Sequence, residues 1–175
     1  MEKNNKVVSY IDKPTGKITL TWIPTSSIEQ YKPVFQVYAV CFISPTEVLL
    51  ISENNKWKIP GGTPEKGEKV LETLKRELKE EADIEIEKAI PIGIQKVEYP
   101  NNPNKTEGEL YYQLRYICKI SKVLPQTPDP DKGVIHPREF VTPETVLDRV
   151  KWGEAGTAMF IEAFKNSGKL FDPKS

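Results

Sequence analysis

The stretch from Gly61 to Ile84 does more than any other to limit what this chain can become. Its first third, Gly61-Gly62-Thr63-Pro64-Glu65-Lys66-Gly67-Glu68, carries three glycines and a proline, so it is a loop. The remainder, from about Lys69 to Ala82, contains neither residue and consists mostly of strong helix formers. Val70, Leu71, Leu74 and Leu78 fall on one arc of that helix and call for a core to pack against. Glu77, Glu80 and Glu81 stand at i, i+3 and i+4, so their carboxylates gather on an adjoining arc, with Glu81 at the edge of the apolar one. Like charges at i,i+4 oppose a helix by about 0.2–0.5 kcal/mol per pair. Three hard oxygen donors on one turn suit Mg2+ or Mn2+, with phosphate and water completing the coordination shell. Taken alone, the helix also admits a plainer reading, a solvated charged face in which Glu72 pairs with Lys75 and Arg76.

The loop before the helix favours the first reading. Gly62 is followed after five residues by Glu68, and after seven more by Arg76-Glu77-Leu78-Lys79-Glu80-Glu81-Ala82-Asp83-Ile84. This resembles the Nudix box, Gly-x5-Glu-x7-Arg-Glu-U-x-Glu-Glu-x-Gly-U with U apolar, at eight of its nine fixed positions. The approach Trp57-Lys58-Ile59-Pro60-Gly61-Gly62 resembles that family's entry into the box. Asp83 stands where the family has glycine, at a helix exit where a left-handed backbone is common and which Asp tolerates better than most residues.

The resemblance implies an α/β fold, an α/β/α sandwich with a mixed central sheet, covering about residues 34–168. It implies metal-dependent hydrolysis of a nucleoside diphosphate linked to another group X: a nucleoside triphosphate, an ADP-sugar or a dinucleotide. Glu77, Glu80, Glu81 and the backbone carbonyl of Gly61 are then the Mg2+ or Mn2+ ligands. Glu80, Glu77 and Arg76 are the catalytic set, with Arg76 orienting a carboxylate by a charge-assisted hydrogen bond. Glu68, just ahead of the helix, supports this set from behind, within reach of free N–H groups there. The general base is a box glutamate or a glutamate on a distant loop, for which Glu98, Glu107 and Glu109 are candidates. Tyr99 and Pro100, fifteen and sixteen positions after the box, resemble single-residue cues of dinucleoside polyphosphate hydrolases and ADP-sugar hydrolases respectively. Trp57, Tyr111, Tyr112 and Trp152 could stack on a base, the plainer role being core. The lone His136 reads as structural.

At 175 residues the chain reads as one domain. Val7 to Asp12 and Lys17 to Ile23 flank a turn and make a hairpin, so residues 1–33 read as an extension ahead of the core. In Nudix-like proteins such extensions serve dimerisation or substrate binding, and a homodimer is left open here. Strands are expected at Val34–Ile43, Glu47–Ser52, Ile84–Lys88, Ile90–Glu98, Glu109–Ser121 and Arg138–Val141. A short helix starts at Thr142-Pro143, and a final helix from about Glu154 to Asn166 ends near Gly168 as a glycine cap. Acidic and basic side chains balance at 25 each, which argues against a long nucleic acid and for a small anionic substrate that brings its own metal. Residues 1–6 precede no apolar core of a signal peptide, and the longest apolar run, Val34 to Ile43, is too short to span a bilayer. Cys41 and Cys118 sit in apolar runs without motif spacing, as buried thiols of a cytoplasmic protein do.

Two other readings compete with hydrolysis. A catalytically inactive Nudix-fold nucleotide-binding module would be expected to have lost a box glutamate, and all are present. An isoprenoid diphosphate isomerase would need a pocket cysteine, whereas Cys41 lies in an apolar strand.

Overall fold

The structure, a computed structural model, describes residues 6–174; residues 1–5, part of the segment that shows no signal-peptide core, lie outside it. The chain opens with β1 (Val7–Lys13) and β2 (Gly16–Pro24), followed after a connection by β3 (Val34–Ser44), β4 (Glu47–Glu53), β5 (Lys56–Lys58) and the two-residue β6 (Gly61–Gly62). The helix α1 (Val70–Ala82) then leads into the long strands β7 (Ile84–Glu98) and β8 (Leu110–Val123), and β9 (Arg138–Val141) precedes α2 (Pro143–Arg149), α3 (Gly153–Asn166) and α4 (Gly168–Phe171). The strands form a single mixed sheet in the order β1-β2-β7-β8-β3-β4-β5, with β6 added to β3 and β9 to β4. β3 runs parallel to β8, and the other pairs are antiparallel. Among the described residues no helix is long and apolar enough to cross a membrane.

Side chains alternate between the two faces of the sheet, and each face has its own core. In β3 and β4, Val37, Ala39, Cys41, Leu49 and Ile51 face Leu74, Leu78 and Ala82 of α1. Their neighbours Val40, Phe42, Val48 and Leu50 face Ala155, Met159, Phe160 and Ala163 of α3. Helix, sheet, helix is therefore the layering, as expected. Cys41 and Cys118 are register partners on β3 and β8, both buried and both free thiols, and burial pushes the Cys41 thiol well up.

Several elements differ from expectation. Ile84–Lys88 and Ile90–Glu98 are one strand, because β-bulges at Glu85/Ile86, Ile86/Lys88 and Pro91/Gly93 carry the β8 ladder past Pro91 without a break. Leu71 is 46% exposed: it stands in the first turn of α1, and Thr73 takes a buried place instead. Ser27 to Tyr31 makes only a turn, closed by Tyr31 N–H to Ile28 O at 3.2 Å. Gly168 does not cap α3; it opens α4.

The hairpin β1–β2 joins the main sheet through β2 and β7. Trp22 of β2 anchors it. The indole is 1% exposed and lies over Gly93 of β7, where a Cβ would come within 2.3 Å of the ring. Trp22→Ala is expected to cost about 3–5 kcal/mol in denaturant unfolding, the range for a large buried aromatic. A loss below about 1 kcal/mol would mean that the hairpin is not part of the cooperative core.

Candidate active site

β6 and α1 build the site together. Gly61 and Gly62 pair with Tyr38 and Val37 of β3, which brings the loop backbone close against the sheet. Gly61 has φ +150°, and a Cβ there would come within 2.2 Å of the Val37 carbonyl. At Gly62 a Cβ would lie 2.3 Å from the Glu77 carboxylate. Gly61 leaves no room for a side chain, and the bare backbone at Gly62 is the cradle in which Glu77 rests, so that a Cβ there would push the carboxylate aside.

Glu81 is 5% exposed and stands within the buried face of α1. Its carboxylate accepts the Gly61 N–H at 3.1 Å, Lys58 Nζ at 3.1 Å and Lys132 Nζ at 3.2 Å. A buried carboxylate needs such donors, since a lone charge there would carry a desolvation penalty of several kcal/mol. Arg76 organises the other two glutamates. Its Nη1 donates to Glu77 Oε1 and Glu80 Oε2, both at 3.0 Å. Its Nε and Nη2 grip the two oxygens of Glu68 at 2.9 and 3.0 Å, and Nη2 also reaches the Thr63 carbonyl at 3.1 Å. The Arg76–Glu72 pair of the plainer reading does not form: Glu72 instead accepts the Lys69 N–H at the helix start, at 2.9 Å. Glu68 receives Glu65 N–H and Thr73 Oγ1 besides Arg76, so it ties the loop to the helix through side chains and a loop amide. The Arg76 guanidinium holds the Glu68 carboxyl down at about 2. Burial pushes Glu77 the other way, up from the usual carboxylate range, against the pull of Arg76.

These groups surround a cavity of about 390 Å3 that also takes in Asp129, Asp131 and Lys132 from the loop after β8. Lys132 Nζ lies 2.5 Å from Glu53 Oε1, and Lys58 Nζ lies 2.9 Å from Glu53 Oε2. The Lys132 bond, together with Lys58 and against the effect of burial, holds Glu53 at about 2. Buried His136 pairs with Asp129, Nε2 to Oδ2 at 3.1 Å. Glu53, Glu81 and His136 place ligand atoms within 4.8 Å of one another, but the Lys132 ammonium bonds both carboxylates of that group. Glu77, Glu80 and Glu81 line the same cavity as the Gly61 backbone, an oxygen-rich set of the kind that hard divalent ions take.

Asp83 takes the left-handed conformation (φ 49°, ψ 51°) at the end of α1. Its side chain does more than tolerate that geometry. It accepts Thr127 N–H at 2.8 Å and Thr127 Oγ1 at 2.7 Å, while Arg138 donates to the carbonyls of Ala82, Asp83 and Leu124. The loop that delivers Asp129 and Lys132 is thus tied to the helix that carries the glutamates.

A second cavity of about 470 Å3 adjoins the first, sharing Tyr38 and Lys58 with it. Hairpin residues Ile18 and Leu20 line it together with Tyr111, Gln113 and Arg115 of β8 and Trp152. Residues 34–164 match the family model described as the NUDIX domain. The chain belongs to the NUDIX family. Structural relatives include the Bacillus subtilis pyrophosphohydrolase BsRppH (E68A mutant), with TM-score 0.65 and 16% identity, over 93% of this chain and 99% of that one. A NUDIX hydrolase from Nitrosomonas europaea aligns with TM-score 0.59 and 16% identity over 78% and 91%. The MutT NUDIX hydrolase from Burkholderia pseudomallei aligns with TM-score 0.52 and 20% identity over 75% and 98%. No curated protein matches the sequence.

Other residues singled out in the sequence lie elsewhere in this NUDIX chain. Trp57 packs at the edge of the α3-side core under the Arg149 guanidinium, 5.1 Å away. Tyr99 bonds to Thr15 in the hairpin turn, the Pro100 carbonyl abuts Gly16, and Glu109 accepts the Asn101 N–H at 2.9 Å; they line neither cavity. Glu98 pairs with Lys96, and Glu107 bonds Asn102 and Tyr111, reaching the second cavity only through that tyrosine. Tyr112 packs on Tyr31. Conversely, Lys132, Glu53 and Arg115 are brought in from distant segments with no motif to mark them.

Asp83→Gly is expected to keep the helix exit but free the loop, so amide hydrogen exchange at Thr127 and Lys132 should accelerate while α1 stays protected. Unchanged exchange at both would show that the Asp83 bonds do not hold the loop. Glu53 and Glu68 lie below their ordinary 4.5, at about 2, so the stability they contribute is complete above about pH 4.5 and is lost as pH falls toward 2. The apo melting temperature should fall across that window, and less steeply in Lys132→Met; equal slopes would mean the Glu53 pair contributes nothing.

Proposed function

We propose that this Nudix-type hydrolase cleaves the pyrophosphate bond of a nucleoside diphosphate linked to another group, with Mg2+ or Mn2+. The observation that carries the reading is the convergence of Glu77, Glu80, Glu81 and Gly61 on one polar cavity that opens onto an aromatic one. Glu77, Glu80, Glu81 and the Gly61 carbonyl would hold the ion. Once bound, such an ion neutralises phosphate charge and acidifies a water.

The chain's own residues set the stage for this. Arg76 fixes the Glu77 and Glu80 carboxylates in one orientation, and Glu68 fixes Arg76. Glu80 and Glu77 are the groups placed to take a proton from an attacking water. Lys58 and Lys132, on the cavity wall, offer positive charge to the phosphates as well as to Glu81. Tyr38, Tyr111 and Trp152 offer ring faces to the nucleoside. The free, buried pair Cys41 and Cys118 supports a reducing cytoplasm.

Turnover of a panel of nucleoside triphosphates, ADP-sugars and dinucleoside polyphosphates with Mg2+ or Mn2+ tests the reading. Glu77→Gln should lower turnover by orders of magnitude. Its apo melting temperature at neutral pH should stay unchanged or rise slightly, because the variant removes a desolvated charge and one like-charge pair of about 0.2–0.5 kcal/mol. Added Mg2+ should raise the wild-type melting temperature more than the variant's. Near-wild-type turnover by Glu77→Gln would end the assignment of this helix as a catalytic metal platform.

A further inference from the structure

Arg115 is the charged side chain that the structure leaves least satisfied. It sits on β8 between Tyr38 of β3 and Gly93 of β7 in the strand registers, and it is 2% exposed. Its guanidinium lies over the Tyr38 ring, 4.8 Å from the centroid. Five N–H groups are available on this side chain. One Nη1 hydrogen bond reaches the Leu114 carbonyl at 3.3 Å, one Nη2 bond reaches Gln113 Oε1 at 2.7 Å, and Nε has no partner. Gln113 Oε1 has nothing further to give, since it also accepts Gln95 Nε2 at 3.2 Å while Gln113 Nε2 is spent on Gln36. Among the described residues no carboxylate pairs with Arg115. A buried cation without a counter-charge is expensive, and burial pushes this guanidinium down to about 10.

The surroundings indicate what would complete it. Arg115 lines the 470 Å3 cavity, whose lining includes no Asp or Glu. The other cations there are already served: Lys58 by Glu53 and Glu81, and Lys151 by Asp148 and solvent, with its side chain 73% exposed. Beside these cations and the polar Ser9, Gln95 and Gln113, the lining is apolar or aromatic, and two of its hairpin members, Tyr10 and Ile11, are 63% and 41% exposed. What Arg115 Nε lacks is an acceptor, and a neutral acceptor supplies it without the cost of stripping water from a full charge against Ile18, Leu20 and Val97. A flat ring with hydrogen-bond acceptors on its edge stacks on these walls and meets the guanidinium. Guanine presents two adjacent acceptors, O6 and N7, to such a fork, whereas adenine puts an amino donor in place of O6.

Resting on the nucleotide-hydrolase reading, we propose that Arg115 determines specificity in this cavity, selecting a base with paired edge acceptors, of the guanine type, over adenine. The hairpin β1–β2 closes the cavity around that base, and the shared Tyr38 and Lys58 set its phosphates toward Glu77, Glu80 and Glu81.

Initial rates on GTP and ATP with Mg2+ or Mn2+, together with metal-free binding of GMP and AMP followed by tryptophan fluorescence, test this. Wild type should favour GTP by about 10- to 100-fold in kcat/KM, the scale of one bidentate base contact, with most of the difference in KM. Arg115→Met should bring the GTP to ATP ratio in kcat/KM close to one and melt no lower than wild type. Arg115→Lys, which keeps the charge without the fork, should also lose most of the preference. Three results would overturn the proposal: an equal GTP to ATP ratio in wild type and Arg115→Met, equal wild-type affinities for GMP and AMP, or Arg115-dependent competition by inorganic phosphate, which would make this an anion site. Failure to hydrolyse either nucleotide would count against the nucleotide-hydrolase reading instead, and the GMP and AMP affinities would still decide the role of Arg115.

Discussion

One guanidinium holds the site in shape. Arg76 bonds Glu68 and the Thr63 carbonyl in the loop, and Glu77 and Glu80 on the helix. Three carboxylates within one turn and the approach to it would otherwise repel one another with no metal present. A planar fork with five donors reconciles them, which a lysine could not do, because an ammonium has no fixed directions. Glu77 lies against the bare backbone of Gly62 as it reaches Arg76, and a Cβ there would displace its carboxylate.

Much of this was readable in the residues, for a local reason. Glu77, Glu80, Glu81, Arg76 and Glu68 lie within fourteen positions of one another, so helix periodicity nearly determines their geometry. The apolar run from Val34 to Ile43 likewise marked a strand. What could not be read came from contacts across long separations. Lys132 meets Glu81 across 51 residues, and Thr15 meets Tyr99 across 84. The break expected at Ala89, between Ile84–Lys88 and Ile90–Glu98, is absent because bulges on either side of it let one strand pair along its whole length with β8. Arg115 stood in an aromatic strand without any motif, and its importance lies in a partner it lacks.

The hairpin shows a related effect at the scale of a segment. By sequence it precedes the family's domain, and the family match begins at residue 34. In the fold it extends the same sheet, anchors Trp22 over Gly93, and supplies one wall of the larger cavity. The polar cavity is thus built from family residues, while the neighbouring cavity is built partly from a segment outside the match. The hairpin can therefore change its side chains without disturbing the glutamates.

The Lys132 ammonium is a counter-ion on a tether. It meets Glu53 and Glu81 where a divalent cation would find part of its binding charge, and Asp83 fastens its loop to the same helix. A metal at Glu81, on the proposed reading, would compete with this resident charge, whose local concentration is set by the loop and not by the solution. By thermodynamic reciprocity, occupancy of the carboxylates and the docking of residues 124–133 would then report on each other. The position of a loop far along the chain would become a measure of how full such a site is.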